Sequence, residues 1–202
     1  MKILFATTNP AKVAAYKEKL NKNGIELITL KDLDCDLEVE ESGKNAIENA
    51  YIKAKAYSDA TGMITIGMDN NLFIEGIPEE KQPGTHVRRV NGKTLTDEEM
   101  IIHYTNLVKQ YGGKLIGKWV YGMAICNGEK TEEYTWSKGE FCLVDTPTEK
   151  RNPGYPLDSI TIMPEFNKYL VNMTKEEKGQ RKGYNSDDVV DFITKTVKNW
   201  EE

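Results

Sequence analysis

The chain opens on a short apolar run, Lys2–Ala6, that suits a buried strand. Polar Thr7, Thr8 and Asn9 follow, and Pro10 stands where a helix start tolerates proline. Residues 11–20 are rich in Ala, Lys and Glu, all good helix formers, with Asn9 as the N-cap and Gly24 as the stop. Apolar positions resume at Ile25–Leu30, so residues 1–30 read strand, loop, helix, strand. Ser42 is read as the cap of a second helix over about 45–61, with Ile47, Ala50, Tyr51 and Ala54 as its apolar stripe. Short strands are expected at Thr65–Met68 and Leu72–Ile74, on either side of the polar Asp69-Asn70-Asn71. Residues 76–95, rich in Gly, Pro and charge, predict a loop or lid. Thr96-x-x-Glu99 is a capping-box pattern for a helix to about Tyr111, which Gly112-Gly113 ends. Trp119–Cys126 and Thr131–Phe141 flank Asn127-Gly128, a strong hairpin signal, and Tyr121, Met123 and Ile125 alternate with small residues. After a proline-rich loop over 145–159, Thr174-x-x-Glu177 is a second capping box. Ser186 would cap Asp187–Trp200, where Val190, Ile193, Val197 and Trp200 recur at helical spacing. This mixture of helices with parallel-compatible and hairpin strands predicts an α/β or α+β fold with a mixed sheet.

Composition narrows the class. The 202 residues suit one domain, or one domain with a smaller lobe. Twenty-seven basic against 32 acidic residues give a formal charge of −5, which argues against a protein held to a nucleic-acid backbone by bulk charge. There is also no basic-aromatic run of the kind RNA binders carry. Cys35, Cys126 and Cys142 are scattered and odd in number, so they read as reduced thiols rather than a disulfide frame or zinc site. No apolar run approaches the ~20 residues of a membrane helix. The apolar start is too short for a signal peptide, so a soluble, cytoplasmic protein is expected.

Two constellations carry candidate chemistry. A loop that leaves a strand and enters a helix offers free backbone N–H groups and the positive end of the helix dipole. Thr7, Thr8 and Asn9 add neutral donors there, and Lys12, one turn in, adds a charge. That describes a phosphate site; the same residues would also make an ordinary capped turn with a solvated lysine. The segment lacks G-x-x-x-x-G-K-[ST], so it is not a P-loop. The second constellation is Glu40-Glu41-Ser42 with Asp69, hard oxygen ligands of the type Mg²⁺ takes. Acidic residues also favour first helical turns for electrostatic reasons alone. Of Lys53 and Lys55 on the second helix, one is expected to face solvent. His86, in the lid-like loop, and His103, within a helix, are read as structural or solvated.

Taken together in order, these segments resemble the inosine/xanthosine triphosphate pyrophosphatase family. Thr7-Thr8-Asn9-Pro10-Ala11-Lys12 is similar to its T/S-x-N-x-x-K start. Glu40-Glu41-Ser42-Gly43 and then Glu48-Asn49-Ala50-Tyr51-Ile52-Lys53-Ala54 resemble its E-E-[ST]-G and E-N-A-x-x-K-A segments. Met68-Asp69-Asn70-Asn71-Leu72 lies where the family has D-D-[ST]-G-L. Gly154-Tyr155 and Asp158 resemble its G-Y-D-P turn, and Met173–Lys178 its [ML]-T-x-E-E-K. The resemblance implies an elongated α/β fold with a long mixed sheet, two lobes and a nucleotide cleft between them, usually as a homodimer. It implies hydrolysis of a nucleoside triphosphate, including non-standard purine ones, to the monophosphate and pyrophosphate by Mg²⁺-assisted water attack on the α-phosphorus. Carried over by position, Thr7, Thr8, Asn9, Lys12 and Asn70 would hold the nucleotide's phosphates, with Lys53 neutralising them. Glu41 and Asp69 would place Mg²⁺, and Asp69 would act as general base or orient the attacking water. Tyr155, Asp158 and Lys178 would lie around base and sugar.

The departures are specific. Met68 replaces the first acid of the pair, and Asn70-Asn71 replaces Ser/Thr-Gly. Pro153 replaces an aromatic residue, Pro156-Leu157 is inserted before Asp158, and the expected Ser-His-Arg reads Lys182-Gly183-Tyr184, with Arg181 or Tyr184 as substitutes. The changes fall in the base-reading half, so triphosphate binding is expected more firmly than inosine or xanthosine specificity. Two other readings remain at this stage. One is a non-catalytic nucleotide-binding or sensing protein; the other is a pyrophosphatase for modified or pyrimidine nucleotides.

Overall fold

Parallel pairing of three strands organises the N-terminal part of the chain. In a computed structural model, which describes residues 1–33, 35, 37–181 and 186–200, β1 (Lys2–Phe5) pairs in parallel with β2 (Glu26–Thr29) and with β3 (Thr65–Ile74). Helix α1 (Pro10–Lys22) joins β1 to β2, and Gly24 reverses the chain at φ 79°. Helix α2 (Ala46–Thr61) joins β2 to β3. The second half of the chain begins with a short ribbon, β4 (Arg89–Val90) with β5 (Lys93–Thr94), and α3 (Asp97–Gln110). Then come β6 (Lys114–Cys126), β7 (Thr131–Val144), β8 (Thr161–Met163), β9 (Lys168–Tyr169), α4 (Lys175–Gly179) and α5 (Ser186–Asn199). Seven strands form one sheet in the order β2-β1-β3-β6-β7-β8-β9, with parallel pairs at one end and antiparallel β7-β8-β9 at the other. The mixed α/β class read from the sequence is therefore the observed one. Among the described residues no helix is long and apolar enough to cross a membrane, and all three cysteines are free thiols.

Contacts divide the chain into two compact units, Met1–Asn70 with Tyr121–Trp136 and Asn185–Glu202, and Asn71–Val120 with Ser137–Tyr184. In the first unit, strand alternation builds a core on each face. Ile3, Phe5, Ile66, Met68, Met123 and Ile125 pack against Tyr16 and Leu20 of α1 and Val190, Ile193 and Val197 of α5. Their neighbours point the other way, toward α2: Leu4 and Ala6 meet Tyr57, while Ala124 and Cys126 meet Ala50 and Ala54. In the second unit, α3 contributes Met100, Ile101, Tyr104, Leu107 and Val108 to a core with Leu72, Ile74, Leu115, Phe141, Leu143 and Ile160.

Several sequence expectations are corrected here. The cap of α2 is Asn45, whose side chain accepts from the Glu48 N–H, rather than Ser42. Tyr51 is 40% exposed; the buried face of α2 is instead Ala46, Ala50 and Ala54 with Asn49, Tyr57 and Ser58. Small residues are required there because the helix rests on two glycines: a Cβ on Gly67 would sit 2.0 Å from the Ala50 carbonyl oxygen, and one on Gly122 2.5 Å from the Ile47 nitrogen. β3 runs unbroken through Asp69-Asn70-Asn71. It lies between β1 and β6, so ladder bonds on both edges override the poor strand preference of Asp and Asn. Strands β6 and β7 extend well beyond their expected limits. The 76–95 segment is fastened to the second unit: Ile77 and Val87 enter the core, and the Gln82 side chain bonds both N–H and C=O of Ile74. Both capping boxes form as expected. Helix α5 begins at Ser186 rather than after it; Tyr184 and the rest of 182–185 lie outside the described residues.

Candidate active site

The turn after β1 carries the first expected cluster. Thr7 is half-buried, while Thr8 and Asn9 are exposed, and the Asn9 N–H donates to Thr7 Oγ1 at 3.2 Å. The Lys12 N–H donates to Asn9 O at 3.1 Å, so α1 starts directly behind the turn. Lys12 does not reach solvent as a free surface lysine would; its Nζ donates to the Met68 carbonyl on β3 at 3.3 Å. Burial and then the Lys53 charge pull the Lys12 ammonium down to about 8 from the ordinary 10.5, partly offset by Asp69 and Glu41. Four charged residues predicted from separate segments thus lie within electrostatic reach of one another.

Lys53 is the centre of this group. Its Nζ lies 3.3 Å from Glu41 Oε2 and 3.9 Å from Asp69 Oδ1. Lys55, two residues on, sits on the other side of α2 in a surface pair with Asp59, as the helical period requires. Asp69 is only 8% exposed, and its Oδ2 accepts from the Asn49 side-chain amide at 2.9 Å. Asn49 in turn accepts the Gly43 N–H through its own Oδ1 at 2.8 Å, tying the Glu41–Gly43 loop, α2 and β3 together. Sequence reasoning quoted Asn49 within a motif and gave it no role. The available signal was its spacing: Asn49 and Lys53 are four apart and share the helix face turned toward β3. Asn70, next on β3, is half-buried.

Met68 is resolved by strand alternation. Its side chain is 4% exposed and packs with Ile66 on the α1/α5 face, opposite to Asp69. The missing first acid therefore removes no group from the Glu41–Lys53–Asp69 cluster; position 68 meets it only through the carbonyl bonded to Lys12.

Tyr155, Asp158 and Lys178 belong to the second unit and form a cluster of their own. Tyr155 is exposed, and its carbonyl accepts the Asp158 N–H at 3.1 Å. The Asp158 carboxylate accepts from the Asn152 amide at 2.8 Å. Burial raises its pKa, opposed by that bond and by Lys178, Arg181 and Lys138. Asp97, in the first turn of α3, holds this loop from outside: it accepts the Gly154 N–H at 2.8 Å and pairs with Arg88 at 2.8 Å. Gly154 has φ 81°, the left-handed conformation that favours glycine at this turn. Lys138, Asn152 and Asp97 carried no sequence signal, because each acts through residues far from it along the chain.

The motif order, the fold and the cluster can now be set beside known proteins. The Ham1 family matches residues 3–182. This chain belongs to the Ham1 family. It is 31% identical over 186 residues to a protein of Thermoanaerobacter pseudethanolicus named dITP/XTP pyrophosphatase, the match covering 89% of each chain. It is 28% identical over 192 residues to one of the same name from Aquifex aeolicus, again over 89% of each. Among solved structures, a Ham1 protein from Coxiella burnetii superposes with a TM-score of 0.79 at 21% identity, covering 98% of this chain and 99% of the other. The Staphylococcus aureus Ham1 protein gives 0.76 at 21% identity with the same coverage. These two likenesses establish a shared Ham1 fold along nearly the whole chain.

Lys12 yields a stability prediction. A lysine whose folded-state pKa is lowered binds its proton less well folded than unfolded, so its charge opposes folding. Below about pH 8 both states are protonated and the opposition is complete; between about 8 and 10.5 the unfolded chain holds more protons, so stability rises with pH. Lys12→Met is therefore expected to raise stability at neutral pH by an amount on the order of 2 kcal/mol. The gain over wild type should shrink across that pH window. Denaturant unfolding of both proteins in chelator at several pH values measures it; equal stabilities at pH 7 would place Lys12 in solvent.

Proposed function

We propose that this chain hydrolyses nucleoside triphosphates to nucleoside monophosphate and pyrophosphate, with the triphosphate held at the β1–α1 turn and the Lys12–Lys53 pair. The carrying observation is that pair: two ammonium groups, one well buried and one nearly so, within reach of two carboxylates. Holding two cations together out of water is unfavourable unless an anion completes the group, and a triphosphate supplies several charges. The relatives' name, dITP/XTP pyrophosphatase, supports the same reading.

In this proposal Thr7, Thr8 and Asn9 and the first N–H groups of α1 donate to phosphate oxygens, where neutral donors and a helix N-terminus favour negative charge. Asn70 donates from β3. Lys12 and Lys53 neutralise charge that grows on the leaving pyrophosphate. Asp69, fixed by Asn49, accepts the proton of the attacking water or orients it toward the α-phosphorus.

Glu41 and Asp69 would hold a divalent cation, Mg²⁺ in this reading. The donor set fits: Lys53 already places a positive charge between these carboxylates. Mg²⁺ is commonly bound by one or two carboxylates plus phosphate oxygens and water rather than an all-protein cage. Among the described residues no three His, Cys, Asp or Glu converge, so two protein ligands is the expected number. When bound, the cation would supply Lewis-acid neutralisation of phosphate oxygens. The reading extends to a homodimer acting in the cytoplasm, with Tyr155, Asp158 and Lys178 contacting base and sugar. Met68, which at the sequence level favoured a non-catalytic protein, no longer does so, because its side chain faces the core.

The test is pyrophosphate release from a panel of common and modified triphosphates with Mg²⁺. Release is expected from some of them; binding without release from any would replace the enzyme with a nucleotide-binding protein. Lys12→Met is expected to raise KM by about 10- to 100-fold, the range for losing a charge-assisted hydrogen bond. Unchanged saturation would remove Lys12 from the phosphate site.

A further inference from the structure

Lys138 lies on β7 in the second unit and was singled out by no motif. The residue after it, Gly139, has φ 83° inside the strand, and its N–H donates to Ser137 Oγ at 3.3 Å. A left-handed glycine within a strand marks a bulge, which bends the strand and re-aims the adjacent side chain. The burial pattern agrees: residues 136–139 are all half-buried, without the two-residue alternation of a regular strand. Lys138 is thereby turned in, close enough to Asp158 and Arg181 for their charges to act on it.

The group around Asp158 is then one carboxylate against three cations, Lys138 from β7 with Lys178 and Arg181 from the α4 region. Arg181 Nε is buried and has no hydrogen-bond partner among the described residues. Asp158 has two accepting oxygens, one already taken by Asn152. Burial pulls Lys138 down to about 8 and pushes Asp158 up, so water does not relieve the imbalance. The cluster has donors and positive charge in excess, arranged about a single acceptor.

We propose that Lys138 is a specificity-determining residue for the hydrolysis described above, reading with Arg181 and Asp158 a nucleobase edge in which a ring N–H lies between two carbonyls. That is the imide edge of xanthine and of uracil. The N–H donates to Asp158, and the two carbonyl oxygens accept from Lys138 and Arg181. Hypoxanthine offers the N–H with one carbonyl and leaves one cation without an acceptor. Adenine and cytosine turn amino donors toward the cations, and a buried polar group left unpaired discriminates strongly. This inference rests on the pyrophosphatase reading for its assay and on the Asp158 cluster for its content.

The experiment compares wild type, Lys138→Met and Lys138→Arg by kcat/KM on XTP, UTP, ITP and ATP, with thermal unfolding of each. Wild type is expected to prefer XTP or UTP over ITP and ATP; which of the two leads tells a purine from a pyrimidine imide. In Lys138→Met the ratio of the preferred imide substrate to ITP should fall about 10- to 100-fold, and Lys138→Arg should restore most of it. A ratio unmoved by Lys138→Met, or a wild type that prefers ITP or ATP, overturns the assignment. If no triphosphate is hydrolysed, calorimetric binding of the same four decides. Tighter XTP or UTP binding that Lys138→Met abolishes sinks the hydrolysis and keeps the base reading; equal binding of all four sinks both.

Discussion

Asp69→Asn is expected to lower kcat for triphosphate hydrolysis by about 10³-fold, within the range for losing a positioned general base. The substitution is close to isosteric. An amide oxygen at position 69 can still accept from Asn49, whose Nδ2 now lies 2.9 Å from the carboxylate. The tie between α2 and β3 therefore survives. What disappears is a negative charge 3.9 Å from Lys53 Nζ, held at a position only 8% exposed. Lys53 keeps Glu41 as a partner at 3.3 Å, so the lysine is not stranded and the melting temperature should move by only a few degrees. Steady-state pyrophosphate release with saturating substrate and a Mg²⁺ titration separates the two roles proposed for Asp69. If it chiefly holds the cation, activity returns as Mg²⁺ rises; if it accepts the proton, kcat stays low at every concentration. Wild-type turnover in the variant would remove Asp69 from the reaction altogether.

Asp69 also shows what the sequence makes legible and what it hides. The strand–turn–helix start and both capping boxes could be read directly, because each depends on residues within a few positions of one another. The charged site residues could be named because the family's motifs keep their order along the chain. Their assembly could not be read in the same way: Asn49 links Gly43 to Asp69 by two hydrogen bonds, and such a bridge follows from packing rather than periodicity. β3 was split at its polar residues for the same reason. Its central place in the sheet, not its composition, keeps Asp69–Asn71 extended. Met68 was read as a lost acid because a motif letter carries no direction; strand alternation sends that side chain to the opposite core. Lys138 was invisible until the Gly139 bulge was located.

Gly67→Ala is the variant expected to damage the fold most for the smallest chemical change. At an unconstrained strand position the substitution would stabilise by roughly 0.4–1 kcal/mol, since alanine restricts the unfolded chain. Here the added Cβ would sit 2.0 Å from the Ala50 carbonyl oxygen and 2.7 Å from the Ala54 nitrogen. Both are backbone atoms of α2, so no side chain can rotate away; strand and helix must separate by more than about 1 Å to reach ordinary contact. Gly122 on the neighbouring β6 holds the same helix equally close, at 2.5 Å from the Ile47 nitrogen, so α2 cannot tilt off one glycine without straining at the other. The overpacking cost is expected to be about 3 kcal/mol, on the order of a 10 °C drop in melting temperature. Function should fall with it, because α2 carries Asn49 and Lys53, and a displacement near 1 Å can cost about 10²-fold in rate. Measured on the fraction still folded, kcat should therefore be reduced along with stability. A Gly67→Ala protein with wild-type melting and turnover would mean that α2 does not rest on β3 as described, and the Asn49–Asp69 bond would go with it.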